Sequence, residues 1–142
     1  GEMCLRTFAD GAVADDPAMA AGARALGAAF QKVNFLRDVR EDHVELGRDY
    51  LPGRDPAALT DRDVAELADD VDADLRTARA AIDGIPGRDR LAVTAAHDLF
   101  AELNSRLRAA GAAEVSAGRV RVPDPVKLAV IARAALPARG GR

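Results

Sequence analysis

Asp38 and Asp42 stand four residues apart in a run of 24 residues, Ala28 to Leu51, whose pattern is helical. On a helix, carboxylates at that spacing lie one above the other and repel by a few tenths of a kcal/mol. A hard divalent cation removes the repulsion. Mg²⁺ in particular takes oxygen ligands and is commonly shared between carboxylates and a substrate phosphate. With Asp38 as zero and about 100° per residue, Gln31 lies near +20°, Asn34 near −40°, Asp42 near +40° and Glu45 near −20°. These groups make one narrow polar stripe. Leu26, Phe30, Val33, Phe35, Leu36, Val39, Val44 and Leu46 occupy nearly every other bearing, which predicts a buried helix. Unpartnered carboxylates inside a core cost several kcal/mol, so the stripe must face a cavity, a metal or another polar helix. Asn34 can add an amide oxygen. Arg37 adjoins Asp38, and Lys32, Arg48 and Arg54 are close in sequence. Guanidinium groups match phosphate oxygens in a bidentate fork. Carboxylates beside cations suggest a metal-bridged diphosphate. The plain alternative is a solvated face with i,i+4 charge pairs, and on the residues alone the two stand even.

The run Gln31-Lys32-Val33-Asn34-Phe35-Leu36-Arg37-Asp38-Val39-Arg40-Glu41-Asp42, followed by Gly47-Arg48-Asp49-Tyr50-Leu51-Pro52, resembles the second aspartate-rich motif of the squalene and phytoene synthases, QxxNxxRDxxED…GRxYLP. Leu99-Phe100, Gly118 to Val122 and Lys127-Leu128 are similar to the later part of that family, and Gly1 to Phe8 to the end of the helix before the motif. The resemblance implies an all-α, isoprenoid synthase-type helical bundle, most like bacterial phytoene synthase. It implies a prenyltransferase that joins two prenyl diphosphates, farnesyl or geranylgeranyl, head to head in isoprenoid or carotenoid biosynthesis. By the same resemblance, Asp38, Asp42 and Asn34 hold Mg²⁺, with Mn²⁺ able to replace it. Gln31, Asn34, Arg37, Arg48 and Arg119 serve the diphosphate, Phe35 and Phe100 the prenyl chain, and Tyr50 sits near the cavity mouth as a catalytic residue alongside Asp38, Asp42 and Arg37. A cytoplasmic enzyme is expected, touching the membrane periphery to release an apolar product.

Two departures qualify the match. The family's first aspartate-rich motif is absent. Asp70-Val71-Asp72-Ala73-Asp74 comes after the second motif, among Asp61, Asp63, Glu66 and Asp69, and reads as an acidic solvated face. Phe100 stands where relatives carry tyrosine. With Gly1 as first residue, the expectation is that residues 1–142 are the C-terminal part of one domain, inactive alone. The competing expectation is a non-catalytic helical interaction protein of the same descent.

The elements that must position the motif are helices. Of 142 residues 32 are alanine and three isoleucine, a balance that favours helix over strand. The tail of a helix is expected at 1–9. Asp15, Asp16 and Pro17 signal the start of a second, extending to about Leu46. Thr60 with Asp63 opens a third, whose Val64, Leu67, Val71, Leu75, Ala78 and Ile82 keep helical period. A fourth carries Leu91, Ala95, Leu99, Leu103 and Leu107 to a stop at Gly111. Asp124-Pro125 opens a fifth, to about Leu136. Residues 48–59 read as a loop and 137–142 as a frayed tail.

Other functions lose ground on composition. A net charge of −3 and pI near 5.4 disfavour a nucleic-acid partner. The single Cys4 cannot form an internal disulfide and fits a reducing compartment. No glycine-rich nucleotide loop appears, so no nicotinamide site is expected. His43 lies about 140° from Asp38 on the motif helix, and His97 reads as a packed or surface residue.

Overall fold

Asp16 opens the first helix: its side-chain Oδ1 accepts the Ala18 N–H at 2.9 Å and its carbonyl accepts that of Ala20 at 3.0 Å. Pro17, whose missing N–H costs nothing there, is the first helical residue. The computed structural model describes residues 16–38, 59–87 and 89–135. In them run α1 (Pro17–Asp38), α2 (Asp61–Ile82), α3 (Asp89–Ser116) and α4 (Asp124–Ala135), with no strand among the described residues. The helices expected at 1–9 and over 39–46, and the tail at 137–142, fall outside the described residues.

α2 begins with the capping box its sequence announces. Thr60 Oγ1 accepts the Asp63 N–H at 3.2 Å, and Asp63 Oδ2 accepts the Thr60 N–H at 2.9 Å. All six apolar positions read from its period are buried. α1 packs antiparallel against it through Met19, Ala25, Ala29, Val33 and Leu36. Small residues in the first half of that line bring the axes close: a Cβ built on Gly22 would overlap that of Ala81. Lys32 extends the seam, donating to Asp74 Oδ2 at 2.8 Å and lying 4.0 Å from Asp70.

α3 lies antiparallel to α2, and here the sequence pattern misplaces the core face. The predicted leucine line is only partly inward: Leu91 is exposed, Leu99 and Leu103 half-buried, Leu107 buried. The face against α2 carries His97, Asn104 and Leu107 instead. Polar side chains are tolerated there because α2 supplies acceptors. His97 Nε2 meets the Leu75 carbonyl at 3.0 Å, and Asn104 Nδ2 donates to the Ala68 carbonyl at 3.0 Å and to Asp72 Oδ1 at 2.8 Å. The first helical run of α3 stops at Gly111, as its sequence predicts, and a short second run follows to Ser116. The Gly111 φ of 72° and ψ of 178° belong to a region open almost only to glycine, and Asp61 Oδ1 accepts the Ala112 N–H freed by the break at 2.7 Å.

α3 finally stops at Gly118, in the left-handed region at φ 67°. The Gly118 N–H reaches the Val115 carbonyl and the Arg119 N–H that of Glu114, the paired bonds of a Schellman stop. The chain then turns back through Val120 and Val122, both buried, into α4. α4 is lightly held. Val130 is its only buried residue, while Leu128 and Ile131 are exposed. Near its end Arg133 lies 3.6 Å from Asp98, which also meets Arg79 at 3.5 Å and His97 Nδ1 at 2.9 Å.

Candidate functional site

The buried line of α1 fixes where its other faces point. At about 100° per residue, that line lies opposite the bearing of Gln31, Asn34 and Asp38. Gln31 is exposed and Asn34 half-buried, so these two residues of the stripe sit on the side of α1 away from α2. The helix is not enclosed all round, as its composition suggests; Leu26, Phe30 and Phe35 are only half-buried. Lys32 is also placed differently from the sequence reading. It is committed to Asp74 and Asp70 in the α1–α2 seam.

Phe30, Asn34 and Arg37 follow at i, i+4 and i+7 along one flank of α1, the flank nearer α3. Phe30 stacks on Phe100 of α3 with ring centroids 3.8 Å apart and planes 18° from parallel. Beside Phe100 a cleft of about 990 Å³ opens between the end of α1, α3, the 117–123 turn and the start of α4. Its apolar lining comes from Leu99, Phe100, Leu103, Val120 and Val122, and its cations from Arg37, Arg121 and Lys127. Leu99 and Leu103, which α3 only half-buries, form part of the wall of this cleft.

The cations differ in what already occupies them. Lys127 donates to Asp124 Oδ1 at 2.8 Å, which holds the Asp124 carboxyl below the usual carboxylate range. Both are exposed, so solvent screens the pair. As pH falls through that lowered value, Asp124 is neutralised and Lys127 presents its full charge to the cleft. Arg121 makes no ion pair among the described residues and is exposed at the cleft wall.

The structure brings Arg37 and Phe100 to one cleft and sets other expected residues elsewhere. Phe35, at about +60° on α1, packs against the core on the flank away from Arg37 and does not line the cleft. Arg119 is exposed but absent from the lining, and Arg121 takes its place. Burial alternates from Arg119 to Val122, so the two arginines share a side of the chain while only the second reaches the cleft. Arg121 and Lys127 are the binding candidates that motif reading passes over; the signal was present as charges alternating with valines at 119–122. The Asp70-Val71-Asp72-Ala73-Asp74 run is less solvated than expected. Asp72 and Asp74 are half-buried, and Arg108 bridges Asp69 and Asp72 at 2.7 Å each. No three of the described His, Cys, Asp and Glu residues group as metal ligands. Asp42, Arg48 and Tyr50 fall outside the described residues, as does the side chain of Asp38.

Comparison with known proteins bears on the whole arrangement. The family model for squalene/phytoene synthase matches residues 1–125. No curated protein matches the chain, and no solved structure does.

Proposed function

Because the chain belongs to the squalene/phytoene synthase family, we propose that it serves the head-to-head joining of prenyl diphosphates, with the cleft beside α1 receiving one substrate. The observation that carries this reading is the cleft's division into an apolar wall and a rim of Arg37, Arg121 and Lys127 around Asp124, the single carboxylate among the described lining residues, at the end of the helix that reaches Asp38. An amphiphile with an anionic head fits both halves. In the joining step the C–O bond to one diphosphate breaks and the leaving group takes the electron pair. The allylic cation is captured by the double bond of the second substrate, with loss of a proton, giving a cyclopropylcarbinyl diphosphate. Arg37, Arg121 and Lys127 stabilise the departing anion, and Leu99, Phe100 and Leu103 keep water from the cation.

Two carboxylates four residues apart with an amide oxygen one turn earlier form an all-oxygen donor set that suits Mg²⁺. Asp38, Asp42 and Asn34 would hold it, and it would supply Lewis-acid stabilisation of the diphosphate. By motif position Gln31, Arg48 and Tyr50 would act with this group. Substrates of farnesyl or geranylgeranyl length, product release at a membrane periphery and a role in carotenoid biosynthesis complete the reading.

Calorimetric titration of the chain with farnesyl diphosphate and Mg²⁺ tests it. Arg121→Gln is expected to weaken binding about tenfold or more, the scale of one charge-assisted hydrogen bond. Asp38→Ala is expected to lower affinity by about 10–100-fold and to remove its dependence on Mg²⁺, since even groups that only support metal ligands cost that much. Unchanged binding in both variants would sink the proposal.

A further inference from the structure

Among the described residues lining the cleft, Asp124 is the one carboxylate, and its partner is one of the cleft's own cations: Lys127 Nζ donates to Asp124 Oδ1 at 2.8 Å. The two stand three residues apart in the first turn of α4, both exposed. The rim therefore holds two kinds of cation. Arg121 sits between Val120 and Val122, whose burial pins its backbone, and it makes no ion pair among the described residues. Lys127 carries its ammonium on a flexible four-carbon stem and can leave one anion for another. Asp124 tolerates the exchange, because a carboxylate in the first turn of a helix is stabilised by the helix dipole even without a cation beside it.

We infer that Asp124 is an internal counter-ion of the cleft: it holds Lys127 until a diphosphate arrives, gives it up to that anion, and takes it back as inorganic pyrophosphate leaves. The inference rests on the proposed diphosphate site and deepens it. Ionisation of the substrate leaves pyrophosphate on the same cations that held the substrate head, so the groups that assist the departure of the anion also retain it. A carboxylate tethered one turn from Lys127 competes for it at a fixed, high effective concentration. Arg121, with no such competitor among the described residues, keeps its charge for the ligand throughout.

The test is calorimetric titration with inorganic pyrophosphate, at constant pH, salt and Mg²⁺, of the unaltered chain, Asp124→Asn, Lys127→Gln and the double variant. Both side chains are exposed, and an unchanged helical circular dichroism spectrum would show that the variants keep the fold. Asp124→Asn is expected to tighten binding about two- to fivefold, the range of one exposed ion pair. In the Lys127→Gln background the same substitution is expected to change little, because no ammonium remains to be released; the double-mutant cycle isolates that coupling. Equal tightening in both backgrounds would mean that the carboxylate repels the anion directly, and the inference fails. Unchanged affinity in Asp124→Asn also sinks it, and weaker binding would make Asp124 a group that serves the metal-bound anion rather than one that competes with it. In each of these cases pyrophosphate still binds and the substrate reading stands. If pyrophosphate does not bind the unaltered chain, both fall.

Discussion

Gly22→Leu is expected to be the most damaging single change on α1, lowering stability by more than about 3 kcal/mol, and Gly22→Ala to lower it by about 1–3 kcal/mol. Helix propensity alone gives the opposite sign, because alanine is favoured over glycine inside a helix by about 1 kcal/mol. Contact geometry decides. The first atom a new Cβ would meet is the Cβ of Ala81, and behind it stands the Ala81 Cα at 3.5 Å. Neither can rotate aside, so the helices must separate. Separation loosens the line from Ala25 to Leu36 along the whole α1–α2 face, and with it the flank that carries Phe30 and Arg37. Urea denaturation followed by circular dichroism measures the effect. Ala81→Gly should restore most of the loss in the Gly22→Ala background, a coupling that a general helix effect would not produce. A Gly22→Ala protein more stable than the original would show that the axes can part freely.

The same interface shows what the sequence makes legible. α2 was readable position by position, because its inward residues after the capping Asp63 are all apolar and its start carries both halves of a capping box. Three helix starts, at Asp16-Pro17, Thr60 and Asp124-Pro125, needed only local chemistry. α3 was misread for a non-local reason. Hydrophobic period treats leucine as inward and histidine and asparagine as outward, whereas acceptors on α2 reverse that assignment at His97 and Asn104. Gly111 is the stop it looks like, and what the sequence does not show is the restart after it, where Asp61, fifty-one residues before Ala112, accepts the Ala112 N–H. The site follows the same division. Residue types and spacing place the polar stripe on α1 and Arg37 beside it. Val120 and Val122 turn inward and put Arg119 and Arg121 on one side of the chain, but which of the two reaches the cleft is set by where the turn after α3 lies, a tertiary choice that spacing does not contain.

Asn104 is where that tertiary choice has its sharpest energetic consequence. Asn104→Asp is expected to cost about 3–5 kcal/mol at neutral pH, the range for leaving a buried charge without a partner. The side chain is fully buried; its amide nitrogen serves the Ala68 carbonyl and Asp72 Oδ1, and its own Oδ1 has no hydrogen-bond partner. The introduced carboxylate would lose both donated bonds and bring negative charge against Asp72. Arg108 offsets little of this, because it already bridges Asp69 and Asp72 at the exposed edge. Burial and the neighbouring carboxylate both favour the protonated form, raising the new group's folded-state value above its unfolded one. Its penalty is therefore complete at neutral pH and shrinks as pH falls through the raised value. Asn104→Leu separates charge from shape. It forfeits two hydrogen bonds, each worth about 0.5–1.5 kcal/mol net, but removes an orphaned acceptor that costs about 1–3 kcal/mol. It should be much less damaging than Asn104→Asp, and its difference from the original should hardly change with pH. Urea midpoints of the three proteins at neutral and mildly acidic pH decide the matter: if both variants lose equal stability at both, packing rather than buried charge governs the α2–α3 seam.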